Sequence, residues 1–457
     1  MPAGLEEVYG QDVAWRDCDG AQCAELTVPL DWSDPDGESI EVALLKVPAT
    51  EDKVGSLVVN PGGPGGSGVD YARAADGIVS PQIRRRFDVV GFDPRGVSRS
   101  AGVDCLTDRE LDDRLAMDPT PDDETERRAA EESQREVGEK CQERVGELLG
   151  HVSTQDAARD MDVLRHVLGE GRLTYLGKSY GSYLGATYAD LFPERVGRMV
   201  LDGALPPDLT TEEVVVGQAE GFDRATRAWA RSCVEDDCPL GSSEEEVVQT
   251  LRELLQGLDA DPLPGPGGIE LTEGWGSVGV AQAMYDQGLW AGLTDALVAL
   301  RDGDGEPLGR LSLAYARRGD DGRYEGNLLE AITAISCLDT PEESGRAAQD
   351  RLVETAERAA PIWGRFMAGT GAACADWPVD PVRQPAPISA EGADPILVLG
   401  TTRDPATPYE WAQRLHDQLA DSRLVTQDGD GHTAYLRQDD CVDEAVDRID
   451  RVVRSFE

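Results

Sequence analysis

The sequence predicts an α/β protein: a central, mostly parallel β-sheet covered on both faces and interrupted by a mainly helical insert. Short apolar runs without polar alternation recur between helical patterns, as strands buried on both faces do. Ser56-Leu-Val-Val-Asn60 and Phe87-Asp-Val-Val-Gly-Phe-Asp93 are examples. Such runs stop near residue 205 and resume near residue 391. With 457 residues and 40% apolar content, the chain can bury a sizeable core.

Taken in order, residues 24–30 and 40–47 read as hairpin-like strands. Parallel strands are expected at 56–60, 87–93, 173–177 and 198–202, and again at 395–400 and 423–426. Segment 108–147 is helical in pattern and highly charged, most simply a solvated face. In the insert, helices are expected at 217–233, 244–258 and 290–300, with Gly/Pro-rich loops at 262–268 and 303–307. The expected organisation is 1–204 as the first part of the core, 205–390 as the insert, and 391–457 as the rest of the core.

Charge narrows the partners. Eighty-eight Asp+Glu against 43 Lys+Arg leave a formal −45, a surface that repels phosphate backbones and anionic membranes. No run approaches the ~18 apolar residues of a membrane span, so neither nucleic-acid binding nor membrane insertion is expected. The oligomeric state stays open. The nine cysteines lack paired Cys-x-x-Cys zinc spacing. Cys18/Cys23 and Cys233/Cys238 flank short polar turns suited to disulfide closure. Cys105 with Cys141 and Cys337 with Cys374 are candidate longer pairs, although connectivity does not follow from sequence alone. These pairings favour an oxidising compartment. Residues 1–7 lack the basic start and apolar stretch of a signal peptide, so the expectation is an exported chain in its mature form. Cys441 would then be unpaired, its partner lying beyond the tail at 454–457.

Gly177-Lys-Ser-Tyr-Gly181 matches G-x-S-x-G and sits between an expected strand and an expected helix. That is the setting in which a serine hydroxyl is presented on a sharp turn, so Ser179 is the candidate nucleophile. A serine needs a base. Of His151, His166, His416 and His432, the last follows a late strand in Asp428-Gly-Asp-Gly-His-Thr433 and is the candidate. Asp404, just past the strand before it, is placed to orient the imidazole. Thr407 either hydrogen-bonds Asp404 or caps the next helix. Stabilising an oxyanion takes two backbone N–H groups. One is Tyr180, next to the nucleophile; the other should come from Asn60-Pro-Gly-Gly-Pro-Gly-Gly-Ser-Gly68, which lacks the Gly-Lys-Ser/Thr of a phosphate-binding loop. The chemistry calls for no cofactor and no metal.

These residues resemble a known family. Pro61-Gly-Gly-Pro-Gly-Gly66 is similar to the oxyanion loop of the prolyl-aminopeptidase-like α/β-hydrolases. Gly91-Phe-Asp-Pro-Arg-Gly-Val-Ser-Arg-Ser100 is similar to their D-x-R-G-x-G-x-S element, with Ser98 in place of the second glycine. Residues 400–442 resemble the C-terminal segment of the secreted actinobacterial tripeptidyl aminopeptidase subgroup. The resemblance implies an α/β-hydrolase fold, export, disulfides, a helical cap, and the triad Ser179, Asp404, His432. It implies Gly63 as the second oxyanion donor, but the family's His before the glycines is Pro61 here, leaving Gly63 and its neighbours as alternatives. Arg95 is expected to be structural. An aminopeptidase must also hold a protonated N-terminus, for which Asp339, Glu220 and Asp223 of the insert are candidates, with Asp286 a further one. The expected activity is a serine hydrolase cleaving peptides near a free N-terminus through an acyl-enzyme. The alternative is a carboxylesterase with a small ester substrate.

Overall fold

The computed structural model describes residues 4–371, 374–437 and 439–448. The tail at 454–457 therefore lies outside the described residues, as do residues 1–3. Nine strands form one sheet: β1 (Arg16–Cys18), β2 (Ala21–Pro29), β3 (Ser39–Val47), β4 (Gly55–Asn60), β5 (Phe87–Phe92), β6 (Leu173–Lys178), β7 (Val196–Asp202), β10 (Ile396–Arg403) and β11 (Ser422–Asp430). A separate two-stranded ladder joins β8 (Leu263–Pro264) and β9 (Glu270–Leu271). The sheet order is β1-β2-β3-β5-β4-β6-β7-β10-β11. β1, β2, β3 and β5 pair antiparallel in turn; every pairing from β5 across to β11 is parallel.

The apolar runs follow from burial on two faces. In β4, Val58 packs with one core cluster while Leu57 and Val59 pack with the other; Val90 and Val89 of β5 divide the same way. One strand was not expected from the sequence, and others, β11 most of all, run beyond their expected bounds. β1 is a three-residue edge turned back on β2 beside the Cys18–Cys23 disulfide. β11 continues past Thr426 to Asp430, because its polar end still pairs with β10 and Arg403 donates to Asp428 and Asp430. No apolar pattern marks such a stretch.

Between β7 and β10 the described chain is mainly helical and carries its own apolar cluster, which includes Trp229, Trp275 and Leu297. The segment expected to be a solvated face is more than that. Its helices Asp108–Leu115 and Glu124–Val145 bury Leu111, Val137 and Cys141. Four disulfides form: Cys18–Cys23, Cys105–Cys141, Cys233–Cys238 and Cys337–Cys374. Cys441 is free and exposed.

Arg95 ties the sheet to the helix behind it. It is fully buried, and its guanidinium grips Asp160 through Nε and Nη2, both at 2.7 Å. The remaining N–H groups donate to the carbonyls of Pro29, Leu30 and His151 at 2.8–2.9 Å, so all five donors are used. Removing one partner of such a pair strands a buried charge. Arg95→Leu is therefore expected to cost about 3–5 kcal/mol of unfolding free energy. Urea unfolding with disulfides intact measures this; a cost under ~1 kcal/mol would show that Asp160 is stabilised by something else.

Candidate active site

Ser179 sits where β6 turns into the helix Tyr180–Leu191, with φ 56° and ψ −125°. A non-glycine residue holds such a conformation only when its surroundings impose it. Here Ser179 N–H donates to the Asp202 carbonyl at 2.8 Å, and Ser182 N–H returns to the Ser179 carbonyl at 2.8 Å. The flanking glycines are required sterically. A Cβ on Gly177 would lie 2.2 Å from the Gly181 carbonyl oxygen, and one on Gly181 would lie 2.8 Å from that of Asn60.

The glycine-rich loop after β4 reaches the same turn. Gly62 has φ +101°, and a Cβ there would lie 2.8 Å from Ser179 Cβ and 3.1 Å from Tyr180 N. Gly62 N–H is taken by Asn60 Oδ1 at 2.9 Å. Gly63 N–H makes no hydrogen bond among the described residues, and Tyr180 N–H lies in the first turn of its helix, where backbone donors are unpaired.

His432 follows β11. Its Nδ1 lies 2.9 and 3.0 Å from the two Asp404 oxygens. Asp404 is fully buried just past β10 and also accepts from Ala406 N, Thr407 N, Thr433 N and Thr407 Oγ1 at 2.8–3.0 Å. Thr407 thus bonds the carboxylate rather than capping the helix Tyr409–Gln418, which has no side-chain cap. The insert holds His432 as well: its backbone N–H donates to the Tyr285 carbonyl at 2.9 Å, and the two rings meet edge to face at 5.3 Å.

Comparison with known proteins fits this geometry. Residues 55–251 match the family model described as "alpha/beta hydrolase fold", and residues 360–449 match "TAP-like protein". The serine protease Hip1 of Mycobacterium tuberculosis is 39% identical over 96% of this chain and 89% of that protein. Carboxylesterase B of the same species is 38% identical over 93% and 83%. The tripeptidyl aminopeptidase of Streptomyces lividans is 33% identical over 95% and 83%. The chain belongs to the tripeptidyl-aminopeptidase-like α/β-hydrolases. As a member of that family it is an enzyme, a serine hydrolase.

In this hydrolase a cavity of about 510 Å³ lies beneath the insert. Gly63, Pro64, Tyr180 and Tyr285 line it. Ser179 and His432 are not among its walls, but their neighbours Tyr180 and Tyr285 are. The three carboxylates expected to face a substrate amine part company. Asp339 is buried and lines the cavity. Its oxygens accept Thr154 N–H at 2.9 Å and Thr154 Oγ1–H at 2.5 Å, and that hydroxyl also contacts the Tyr180 phenol. Asp223 is withdrawn from the cavity because its carboxylate accepts the N–H groups of Ile362 and Trp363. Glu220 is exposed on the helix Thr211–Glu235 and does not line the cavity, which that helix faces with Val215, Gln218 and Phe222 instead. Asp286 pairs with Arg437 on the surface. Sequence reading missed Asp202, Thr154 and Tyr285. Of the three, only Asp202 left a signal that could have been used, its place at the end of an expected strand.

Burial pushes Asp339 up to about 7, against the opposing pull of its Thr154 bonds. Glu273 and Glu330 are likewise pushed up to about 7 by burial. A carboxyl raised above its unfolded value of about 4 binds more protons in the native state. Its contribution to stability is full below about pH 4 and is lost as pH rises through about 7. Asp339→Asn is therefore expected to reduce the fall in stability between pH 5 and pH 8 by an amount of order 1–2 kcal/mol. Urea midpoints at the two pH values read this, and an unaltered slope refutes it.

Proposed function

We propose that this hydrolase cleaves peptides near a free N-terminus by acyl-enzyme chemistry. Ser179 is the nucleophile, His432 the general base and acid, Asp404 the group that orients it, and Thr407 a support for Asp404. The observation that carries this reading is the His432–Asp404 pair, 2.9 Å apart at neighbouring strand ends, together with a serine held at φ 56° at the end of β6. Asp404 fixes the proton on Nδ1, leaving Nε2 to take the proton of Ser179. The acyl oxyanion would be met by the N–H groups of Gly63 and Tyr180. After the amine leaves, His432 activates water to release the acyl peptide.

Residues 205–390 form a cap over the site in this reading, and Asp339 is the carboxylate that receives the substrate ammonium. The names of the relatives, a serine protease and a tripeptidyl aminopeptidase, support a peptide substrate. The four disulfides support a site of action outside the cytoplasm. A relative named Carboxylesterase B keeps ester hydrolysis as the second reading, since the same triad serves both.

A free-amino tripeptide chromogen, its N-acetylated twin and a short p-nitrophenyl ester separate these readings. The free-amino peptide is expected to be turned over, with Ser179→Ala inactive and Asp404→Asn reduced about 10⁴-fold in kcat. Equal turnover of the two peptides would remove the aminopeptidase claim, and turnover of the ester alone would establish the second reading. With Asp339 ionising near pH 7, KM for the free-amino peptide alone should fall as pH rises from 6 to 7.5. Asp339→Asn should abolish that fall.

A further inference from the structure

Arg114 stands on the helix Asp108–Leu115, half-buried, and lines the same cavity as Gly63 and Tyr180. Among the described residues its guanidinium has one hydrogen bond, from Nη2 to Gln134 Oε1 at 3.1 Å, and no ion pair. Nearby carboxylates are engaged elsewhere. Asp112 holds Arg318 at 2.6 and 2.8 Å, Glu110 holds Lys140 at 3.0 Å, and Glu131 holds Arg346 at 3.0 Å. Asp118 lines the cavity too, but its carboxylate accepts Thr120 N–H at 2.7 Å. Around Arg114 the wall is uncharged: Leu111 and Leu115 on its own helix, Ala130, Ser133 and Gln134 on the next.

In a chain with 88 acidic and 43 basic residues, a cavity-lining guanidinium that pairs with no carboxylate is out of keeping with its surroundings. Burial pulls Arg114 below its usual value, and no carboxylate offsets the pull. A cation held this way costs stability until an anion joins it. The guanidinium carries five N–H donors in a planar fork, and a carboxylate matches that fork with two parallel bonds.

We propose that Arg114 is a carboxylate-binding subsite, which receives an acidic group of the substrate, either its C-terminal carboxylate or an Asp or Glu side chain. What enters the cavity rests on the peptidase reading above; the anion preference rests on Arg114. With Asp339 on another part of the wall, the cavity then offers one carboxylate to a peptide ammonium and one guanidinium to a peptide carboxylate. The substrate class is a short, zwitterionic or acidic peptide.

The test uses one free-amino tetrapeptide as its C-terminal acid, as its amide, and as amides carrying Glu in place of Gln at each position in turn. Wild type is expected to show a kcat/KM for one acidic form about tenfold above its neutral twin. Which form it is identifies the source of the carboxylate. Arg114→Gln should bring that ratio to about one, and Arg114→Lys, which keeps the charge but loses the fork, should reduce it at least threefold. A wild-type ratio near one for every pair overturns the subsite, as does a ratio unmoved in the folded variants. The same pairs are titrated calorimetrically into Ser179→Ala, with and without Arg114→Gln. If wild type cleaves no peptide, the peptidase reading fails. The subsite then stands only if Ser179→Ala binds an acidic form more tightly and Arg114→Gln removes the difference; equal binding, or none, overturns it.

Discussion

The fully buried Asp202 holds the two halves of the candidate site in register. Its carbonyl oxygen accepts the N–H of Ser179, fixing the turn at the end of β6. Its side-chain oxygens accept the N–H groups of Ala434 at 2.7 Å and Tyr435 at 3.0 Å, 232 and 233 residues away in sequence. One residue at the end of β7 thus positions both the serine and the loop that carries His432. Segments this far apart in sequence are brought to neighbouring positions by the strand ends of the sheet. Lys178 lies 3.5 Å from the same carboxylate and donates to the Tyr435 carbonyl at 2.9 Å, closing the link from the other side.

The same physics repeats at Asp160 and Asp404. All three aspartates are inaccessible to solvent, and a buried carboxylate is tolerated only when donors replace its water. Asp160 receives a guanidinium and the Trp32 indole N–H. Asp202 receives two backbone amides, and Asp404 receives three backbone amides, a hydroxyl and an imidazole. Because Asp404 is fixed by groups other than His432, it cannot swing away when the imidazole changes charge. That rigidity suits the orienting role proposed for Asp404.

How much of this was legible in the sequence depended on whether a residue's job leaves a periodic or steric trace. Strands buried on both faces must be apolar throughout, so β4, β5, β6 and β7 could be read within a residue or two. The turn at Ser179 was legible because no other residue fits where Gly177 and Gly181 stand. Asp404 and His432 were legible from their places just past strands. The cavity was not. A helix facing a cavity has the same apolar stripe as one facing a core, so only the apolar run at 334–338 beside Asp339 set this inward residue apart from the solvent-facing Glu220. Asp223 had the right burial but was used by backbone amides that no local pattern announces. The charged helices 108–145 concealed their contribution for a related reason: a few inward residues among many solvated ones do not alter the composition.

The net charge of −45 also takes on a narrower meaning. Carboxylates on the outer surface are screened within about 8 Å at physiological salt, so their field fades before it reaches a buried peptide. Charges lining the cavity are screened far less. In the proposed reading, Asp339 and Arg114 therefore weigh more in choosing a substrate than the dozens of acids outside. The two also differ in how they are held. Asp339 is pinned by Thr154, which ties it to the side chain of Tyr180, next in sequence to Ser179, whereas Arg114 leans on a single neutral amide. An ammonium at the first, as proposed, would be placed relative to Ser179 by a chain of bonds through Thr154 and Tyr180. An anion binding at the second gains mainly from the desolvated charge it neutralises, so it sets which peptides enter more than where their scissile bond lies.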